Sequence, residues 1–364
     1  MHKNSFQIGE LLDVQIEKLT FGGNGLARVQ LDGQNVVVFV PYSAPGDQLK
    51  VKVSEIHKNY YIAETHEILI SSSSRTTPQC QSYGICGGCN WQHLQYSEQL
   101  KQKENIVSEQ IEKTGAKGFQ FLPILPSPKP THYRNKVQLK FENNILGFYA
   151  RKTHTVVTSE SCILMEEPLF VKHLKLALDL KEKNTNLNKF ELSLTDEGFS
   201  QVNRFVNELL QNELLIWLED YSFQYFFDFY AGSGNFTFPI FKKNKKANYT
   251  AVELSHLSVQ KAKNEIQKMN IPPTQLKFYQ SDVEIFLKRN LIPTNSIILL
   301  DPPRAGCSDY VIRSIEKSNA KAIFYISCDP SSLSRDLKKL IETSSWKIKR
   351  VRTFDMFPQT HHVE

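Results

Sequence analysis

Five short apolar runs constrain this chain more than any other feature. They are Tyr225–Tyr230, Tyr249–Glu253, Leu276–Gln280, Ser296–Leu300 and Ala322–Ser327, with helix-length segments between them. Runs that are apolar almost throughout suit strands buried on both faces, and strands alternating with helices make a parallel sheet. Between the second and third runs the helical period is explicit. Val259, Ala262, Ile266 and Met269 recur three or four residues apart, and Ser255 is placed to cap the helix start. The predicted fold class of this half is α/β, a doubly wound sheet. In such sheets ligands bind in the crevice at the carboxyl ends of the strands. The residues that end each run are therefore the candidates for chemistry.

The first run opens into Asp228-Phe-Tyr-Ala-Gly-Ser-Gly-Asn235. Glycines in a strand-to-helix turn let the backbone approach a ligand without interference from Cβ. Glu253, at the end of the second run, can accept both hydroxyls of a ribose. A dinucleotide site would offer the same pair. Thr237, however, replaces the third glycine of that pattern, and no pyrophosphate-binding feature follows. S-adenosylmethionine (SAM), with ribose and adenine but no phosphate, fits better. The fourth run ends in Asp301-Pro-Pro-Arg304, whose prolines stiffen the loop around the carboxylate. Enzymes that methylate exocyclic amines use a related Asp-Pro-Pro followed by an aromatic, which Arg304 is not. The fifth run ends in Ser327-Cys328-Asp329-Pro330, a turn and not a core position. A thiol beside a nucleotide-type cofactor points to covalent catalysis. Such a thiol needs positive charge nearby to ionise, for which Arg304 and Arg335 are candidates. Cys307 reads as a packing residue.

Residues 8–68 carry a different pattern. Leu11–Leu19, Ala27–Leu31, Asn35–Val40, Gln48–Ile56 and Tyr60–Ile68 read as strands separated by glycine-rich turns, with Asp32-Gly33 as a hairpin signal. Five short strands at this spacing predict a small OB-like barrel. A polar linker, 71–78, precedes Cys80-x5-Cys86-x2-Cys89, and Cys162 lies far downstream. Four thiolates can hold a [4Fe–4S] cluster or a zinc ion. Zinc ribbons usually show two Cys-x2-Cys pairs, whereas this chain has one pair and two outliers, so iron is preferred. A helix is expected from Ser97 to Thr114, stopped by Gly115. Strands are expected at His132–Phe141 and Ile145–Val157, in a mixed middle region ending near residue 200.

At 364 residues the chain exceeds one ordinary core, and two or three domains are expected. Its start lacks an apolar signal core, and no apolar run reaches the length of a membrane span. A cytoplasmic protein is the expectation, in which six cysteines serve as ligands, nucleophiles or bystanders more often than in disulfides. The net charge of +6 is unevenly spread. Residues 98–154 carry ten basic and five acidic side chains, against six and seven in residues 1–65. That distribution hints at a polyanionic partner.

Taken together, these residues resemble the RNA uracil-5-methyltransferase family from end to end. The likeness is to its bacterial ribosomal-RNA branch, which carries an N-terminal TRAM barrel and a [4Fe–4S] cluster. The resemblance implies three domains. They are a TRAM/OB-like RNA-binding barrel at 1–68, a central α+β iron–sulfur domain at 69–200, and a Rossmann-like SAM-methyltransferase domain at 201–364, on which helix 97–114 is expected to pack. It puts the cluster ligands on Cys80, Cys86, Cys89 and Cys162. It puts SAM contacts on Gln201, Tyr230, Asn235, Glu253, Asp282 and Asp301, the nucleophile on Cys328, and the proton-abstracting base on Glu364.

The chemistry explains the cysteine. Uracil C5 is a poor nucleophile, but a thiolate adding to C6 makes an enolate whose C5 can attack a methyl group. A base then removes the C5 proton and the thiolate is eliminated. The resemblance implies 5-methyluridine in 23S ribosomal RNA, with transfer RNA as the alternative. A non-catalytic RNA-binding iron–sulfur protein is a reading of another class. The target uridine is expected to be in a loop or single strand and to flip from its stack. Binding is expected to depend on salt through the basic 98–154 segment. No membrane and no obligate protein partner are expected. Three positions depart from the family pattern. Asp329 stands at a usual Asn, Tyr230 stands at a usual Phe, and the sequence stops at Glu364 where relatives continue through a strand. A glutamate in that position is expected to fray.

Overall fold

The computed structural model describes residues 5–142, 145–159, 161–183, 189–194, 201–342 and 344–364. The chain divides into two compact units. The first comprises Met1–Ile106, Ser127–Leu194 and Phe357–His362; the second comprises Val107–Pro126, Thr195–Met356 and Val363–Glu364.

The first unit opens with β1 (Leu11–Gln15), β2 (Lys18–Leu19), β3 (Gly25–Leu31), β4 (Gln34–Val40), β5 (Gln48–Ile56) and β6 (Tyr60–Ile70). These form one sheet in the order β1-β5-β6-β4-β3-β2, antiparallel except where β4 meets β6. Burial alternates along β1, and the inward residues, among them Val14, Val38, Leu49 and Val51, make its core. The expected first strand is interrupted. The Ile16 N–H bonds Asp47 O and the Glu17 N–H bonds Leu26 O, which turns the chain between β1 and β2. The small OB-like barrel expected here is, among the described residues, a six-stranded sheet with β1 and β2 at its ends.

After α1 (Tyr96–Glu112) and β7 (Gln120–Leu125) come β8 (Val137–Glu142), β9 (Ile145–Tyr149), β10 (Val156–Thr158), α2 (Glu167–Lys183) and β11 (Lys189–Leu194). The second sheet of the first unit runs β10-β9-β8-β11. The single strand expected over Ile145–Val157 is a hairpin, because the Ala150 N–H bonds Thr155 O and Lys152 takes a φ of 54°. The strand expected from His132 starts only at Val137. His132 has a φ of 52°, and the N–H groups of His132, Tyr133 and Arg134 bond the carbonyls of Ile163 and Leu164 instead of a neighbouring strand. The boundary expected near residue 200 lies outside the described residues.

The second unit holds α3 (Arg204–Leu218), β12 (Tyr225–Phe229), α4 (Thr237–Lys243), β13 (Asn248–Glu253), α5 (His256–Lys268), β14 (Leu276–Gln280) and α6 (Val283–Arg289). It continues with β15 (Ser296–Leu300), α7 (Asp309–Glu316), β16 (Ala322–Tyr325), α8 (Pro330–Glu342) and β17 (Arg350–Phe354). Five of its strands form a wholly parallel sheet in the order β14-β13-β12-β15-β16. The central strands are apolar because they are covered on both faces: every residue of β15 is buried, as are four of the five in β12. Strand order reverses between β12 and β15, which makes the crest above that pair the switch point of the sheet. Several helices start on side-chain caps, including Ser255 for α5, Asp282 for α6 and Ser308 for α7. Separately, β17 pairs in parallel with β7. Among the described residues no helix is long and apolar enough to cross a membrane.

Candidate active site and cysteine cavity

Strand order decides which residues meet at the crest. Reading across the sheet, the strands end at Asp282 (two residues past β14), Glu253 (the last of β13), Tyr230 (one past β12), Asp301 (one past β15) and Cys328 (three past β16). Neighbouring strands lie about 4.8 Å apart, so residues far apart in sequence become neighbours here. Asp301 is thereby set between the glycine turn and the thiol.

The glycine turn is shaped by left-handed backbone at Tyr230 (φ 66°), Gly232 (φ 55°) and Gly234 (φ 94°). A Cβ on Gly234 would run into the Phe238 ring. Glu253 braces the turn: one oxygen accepts the Gly232 N–H at 2.9 Å and the other the Ser255 N–H at 2.7 Å. Each oxygen keeps capacity for a further donor. Asp282 uses Oδ1 to cap α6, accepting the N–H groups of Glu284 and Ile285. Asn235 is committed to α3. Its Oδ1 accepts from Asn207 and Gln211, both at 2.9 Å, and its Nδ2 donates to Asn207 Oδ1 at 2.9 Å. Gln201 is half-buried, two residues before Asn203, the cap of α3.

Beneath the turn lies a carboxylate that sequence reasoning passed over as part of a strand. Asp228 is fully buried in β12; one oxygen accepts the Thr237 hydroxyl, and Oδ1 has no partner. Burial, with the charges of Asp301 and Glu253, pushes its carboxyl up to about 7. Asp301 is likewise pushed up to about 7, by burial and by Glu253. The crest thus gathers acidic groups whose burial and mutual repulsion raise Asp228 and Asp301. A cation would relieve it and a phosphate would worsen it. The SAM sulfonium and ammonium suit this electrostatics, and the orphaned Asp228 oxygen is an acceptor for such a donor.

Cys328 is half-buried at the start of α8. Asp329 caps that helix, its Oδ1 accepting the Ser331 and Ser332 N–H groups at 3.0 and 2.8 Å, with Pro330 as the first helical residue. Burial, with the Glu364 and Asp301 charges, pushes the thiol up to about 11 against the pull of Arg304. Arg335, the other cation expected beside the thiol, is instead paired with Asp336 at 2.7 Å and bonded to Ala305 O. Glu364 does not fray. Its N–H bonds Phe354 O at 3.1 Å and its carbonyl accepts the Phe354 N–H at 2.8 Å, an antiparallel exchange pair with the end of β17. Burial and Asp301 push its carboxyl up to about 8, against the pull of Arg304. Glu364 and Ser327 also line a largely apolar cavity of about 400 Å³.

In the first unit Cys80, Cys86, Cys89 and Cys162 line one cavity of about 50 Å³. All four are free thiols, and burial raises Cys86, Cys162 and, to about 12, Cys89. The Gly88 N–H bonds Cys86 Sγ at 3.4 Å. Arg134 and Gln92 line the same cavity, and each has a buried donor without a partner, Nε and Nε2 respectively. Among the described residues no three His, Cys, Asp or Glu side chains are grouped so as to hold a single metal ion. The two unpartnered donors suit a group that accepts hydrogen bonds.

Comparison with known proteins adds the following. A model of the tRNA (uracil-5-)-methyltransferase family matches residues 171–364, and a TRAM domain model matches residues 5–65. An uncharacterized RNA methyltransferase of Bdellovibrio bacteriovorus is 38% identical over 98% of this chain and 94% of its own length. The 23S rRNA (uracil(1939)-C(5))-methyltransferase of Mannheimia succiniciproducens is 26% identical over 97% of this chain and 94% of its own. The crystal structure of Pyrococcus abyssi tRNA (uracil-54, C5)-methyltransferase in complex with S-adenosyl-L-homocysteine superposes with a TM-score of 0.72. That match is 19% identical and covers 97% of this chain and 98% of that one.

Proposed function

The chain belongs to the tRNA (uracil-5-)-methyltransferase family of SAM-dependent enzymes, and we propose that it forms 5-methyluridine in RNA with Cys328 as nucleophile and Glu364 as base. The observation that carries this reading is electrostatic: one thiol at a strand end feels Glu364, Asp301 and Arg304 together. SAM supplies the methyl group, and Tyr230, Glu253, Asp282 and Asp301 are the residues assigned to hold it, with Gln201 and Asn235 at the margin. The Cys328 thiolate adds to uracil C6, and the displaced π electrons pass through C5 toward O4. C5 then takes the methyl carbon as its bond to sulfur breaks. Glu364, as carboxylate, accepts the C5 proton. The C5–C6 double bond re-forms, the thiolate leaves, and Glu364 returns its proton to water.

A thiol held near 11 is protonated in the resting enzyme. Arg304 and the cationic methyl donor are the charges that favour its ionisation during attack.

Transfer RNA is the substrate we favour over the ribosomal RNA expected from sequence, because both the family description and the Pyrococcus enzyme name transfer RNA. The Mannheimia relative supports 23S rRNA as the second reading. The domain limits 1–68, 69–200 and 201–364 belong to the same proposal, with the TRAM-like segment and the basic 98–154 stretch contacting RNA. So does a [4Fe–4S] cluster on Cys80, Cys86, Cys89 and Cys162. Its support is four thiols around one cavity with orphaned donors from Arg134 and Gln92. Such a cluster supplies a rigid anionic crosslink. In this reading it has a structural or RNA-positioning role. The test is to incubate the purified protein with SAM and either a transfer-RNA or a 23S transcript and map 5-methyluridine by mass. Product in the transfer-RNA arm is expected. Product only in the 23S arm selects the second reading, and a Cys328→Ala protein that still makes product sinks the covalent mechanism.

A further inference from the structure

We propose that Asp336 is a positioning residue that sets the distance between the Cys328 segment and the loop carrying Asp301 and Arg304. This rests on the function proposed above. Asp336 lies on α8 and is fully buried. Its carboxylate ties three elements together. Oδ2 accepts the Cys307 N–H at 2.7 Å, fixing the far end of the loop that starts at Asp301. The same oxygen accepts the Tyr325 hydroxyl at 2.7 Å, on the last residue of β16 and three before Cys328. Oδ1 accepts from Arg335 Nε at 2.9 Å and Nη2 at 2.7 Å, and that guanidinium also donates to Ala305 O at 2.7 Å.

The loop is shaped to meet this clamp. The Gly306 N–H closes a turn onto Pro303 O at 2.7 Å with Gly306 at φ 76°, and a Cβ there would overlap both Arg335 and Asp336. The clamp lies beside the cofactor side as well, since Tyr230 packs against the core cluster that contains Cys307. A buried carboxylate is a poor choice for stability alone, because desolvation opposes it and an apolar residue would pack as well. It is a good choice for geometry, since its charged hydrogen bonds are short and directional. One carboxylate thus links the Asp301–Cys307 loop, the end of β16 and helix α8, which starts two residues after Cys328.

The test uses the full-length protein as purified, with Asp336→Asn as the main variant. Asn keeps the volume but replaces an acceptor oxygen by a donor that faces other donors. Losing a charged hydrogen bond in a catalytic array corresponds to about a tenfold to hundredfold loss. We expect kcat for 5-methyluridine formation to fall by that factor, while SAM affinity and KM for RNA change less than about threefold. The rate at which 5-fluorouridine RNA captures Cys328 should fall in parallel with kcat. Tyr325→Phe, which removes one donor and leaves the carboxylate, should show the same split with a smaller loss. It serves as the test should Asp336→Asn not fold. A folded variant with kcat within twofold of the parent, or one that loses kcat and SAM affinity equally, overturns the proposal. An inactive parent protein refutes the function instead, so the two failures are distinguishable.

Discussion

The crest of the parallel sheet and the cysteine cavity both hold half-buried thiols pushed above their usual range, yet the polar atoms left unpartnered around them are of opposite kind. At the crest the orphaned polar atom is an acceptor, Asp228 Oδ1, and the neighbours Asp301, Glu253 and Glu364 are acids. In the cavity the orphaned atoms are donors, Gln92 Nε2 and Arg134 Nε. Burial raises a thiol in either place, so a shifted cysteine by itself does not identify a function. The sign of what is left unsatisfied around it does: acceptors call for a cation and donors for an anion.

The sharpest way to break this contrast is to remove one thiol from each region. Cys328→Ala should lower methyl transfer by about 10⁴-fold or more while leaving SAM binding and thermal stability close to the parent. Under the cluster proposed above, Cys86→Ala should do the reverse, with loss of iron and sulfide and a lower melting temperature, activity falling only as far as the fold does. Matching losses of iron in both variants would show that the two regions are not chemically distinct. Next in size is Glu364→Gln. Removing a general base costs about 10²–10⁴-fold, and because the thiolate leaves only after the C5 proton does, methylated RNA should accumulate as a denaturant-stable adduct on Cys328. Lost turnover without an adduct would place Glu364 before the methyl transfer and not after it.

How much of this was legible in the sequence depended on whether a residue's role is local. Cys328, Asp301 and Glu253 could be read because each ends an apolar run, and in a parallel sheet the ends of runs share one edge. The helix starts were legible for the same reason: Ser255 caps α5 through its own following N–H groups. Asp228 stayed hidden because it interrupts β12 without breaking its apolar pattern, and only the neighbouring Asp301 and Glu253 give it meaning. Arg335 was misassigned because sequence distance does not say which way a residue on α8 points; in the fold it pairs with its neighbour Asp336. Glu364 was expected to fray, but its exchange pair joins it to Phe354, a contact no local rule supplies. The hairpin at 150–155 was missed because the turn residues Arg151 to His154 lack the glycine that usually marks one.

Asp228→Asn sharpens the electrostatic half of the contrast. In the native protein Asp228 and Asp301 are raised to about 7 and Glu364 to about 8. An acid raised on folding contributes stability that is complete below its unfolded pKa, near 4, and is lost as pH rises through the folded value. The SAM-free protein should therefore lose stability between about pH 4 and 8, where these three acids are ionised in the unfolded chain but still protonated in the folded one. SAM should reverse part of the loss, because a bound cation favours the ionised acids; its affinity should rise between about pH 6 and 9, where the folded acids ionise. In Asp228→Asn the melting temperature should fall less with pH. SAM should bind about tenfold more weakly than to the parent at pH 8.5 but nearly equally at pH 5.5. S-adenosylhomocysteine, which lacks the sulfonium charge, should show a shallower pH dependence in the parent. Calorimetry at the two pH values with both ligands checks this, and equal slopes for the two would remove the argument from charge.

The smallest expected effect concerns Asp329, which stands beside the nucleophile and could be mistaken for part of the chemistry. Its Oδ1 is occupied by the Ser331 and Ser332 N–H groups, its carbonyl accepts the Leu333 N–H at 3.1 Å, and its N–H donates to Ser327 Oγ at 3.2 Å. Those bonds describe a helix cap, and Asn caps as well as Asp. Asp329→Asn should leave kcat within about twofold and stability within about 0.5 kcal/mol, whereas Asp329→Ala should cost about 1 kcal/mol through loss of the cap. Cys328 alkylation against pH separates the two roles. A cap exchanged for an equivalent cap leaves the midpoint where burial, Glu364, Asp301 and Arg304 put it. A midpoint that drops by a full unit in Asp329→Asn would add Asp329 to the charges that the nucleophile feels.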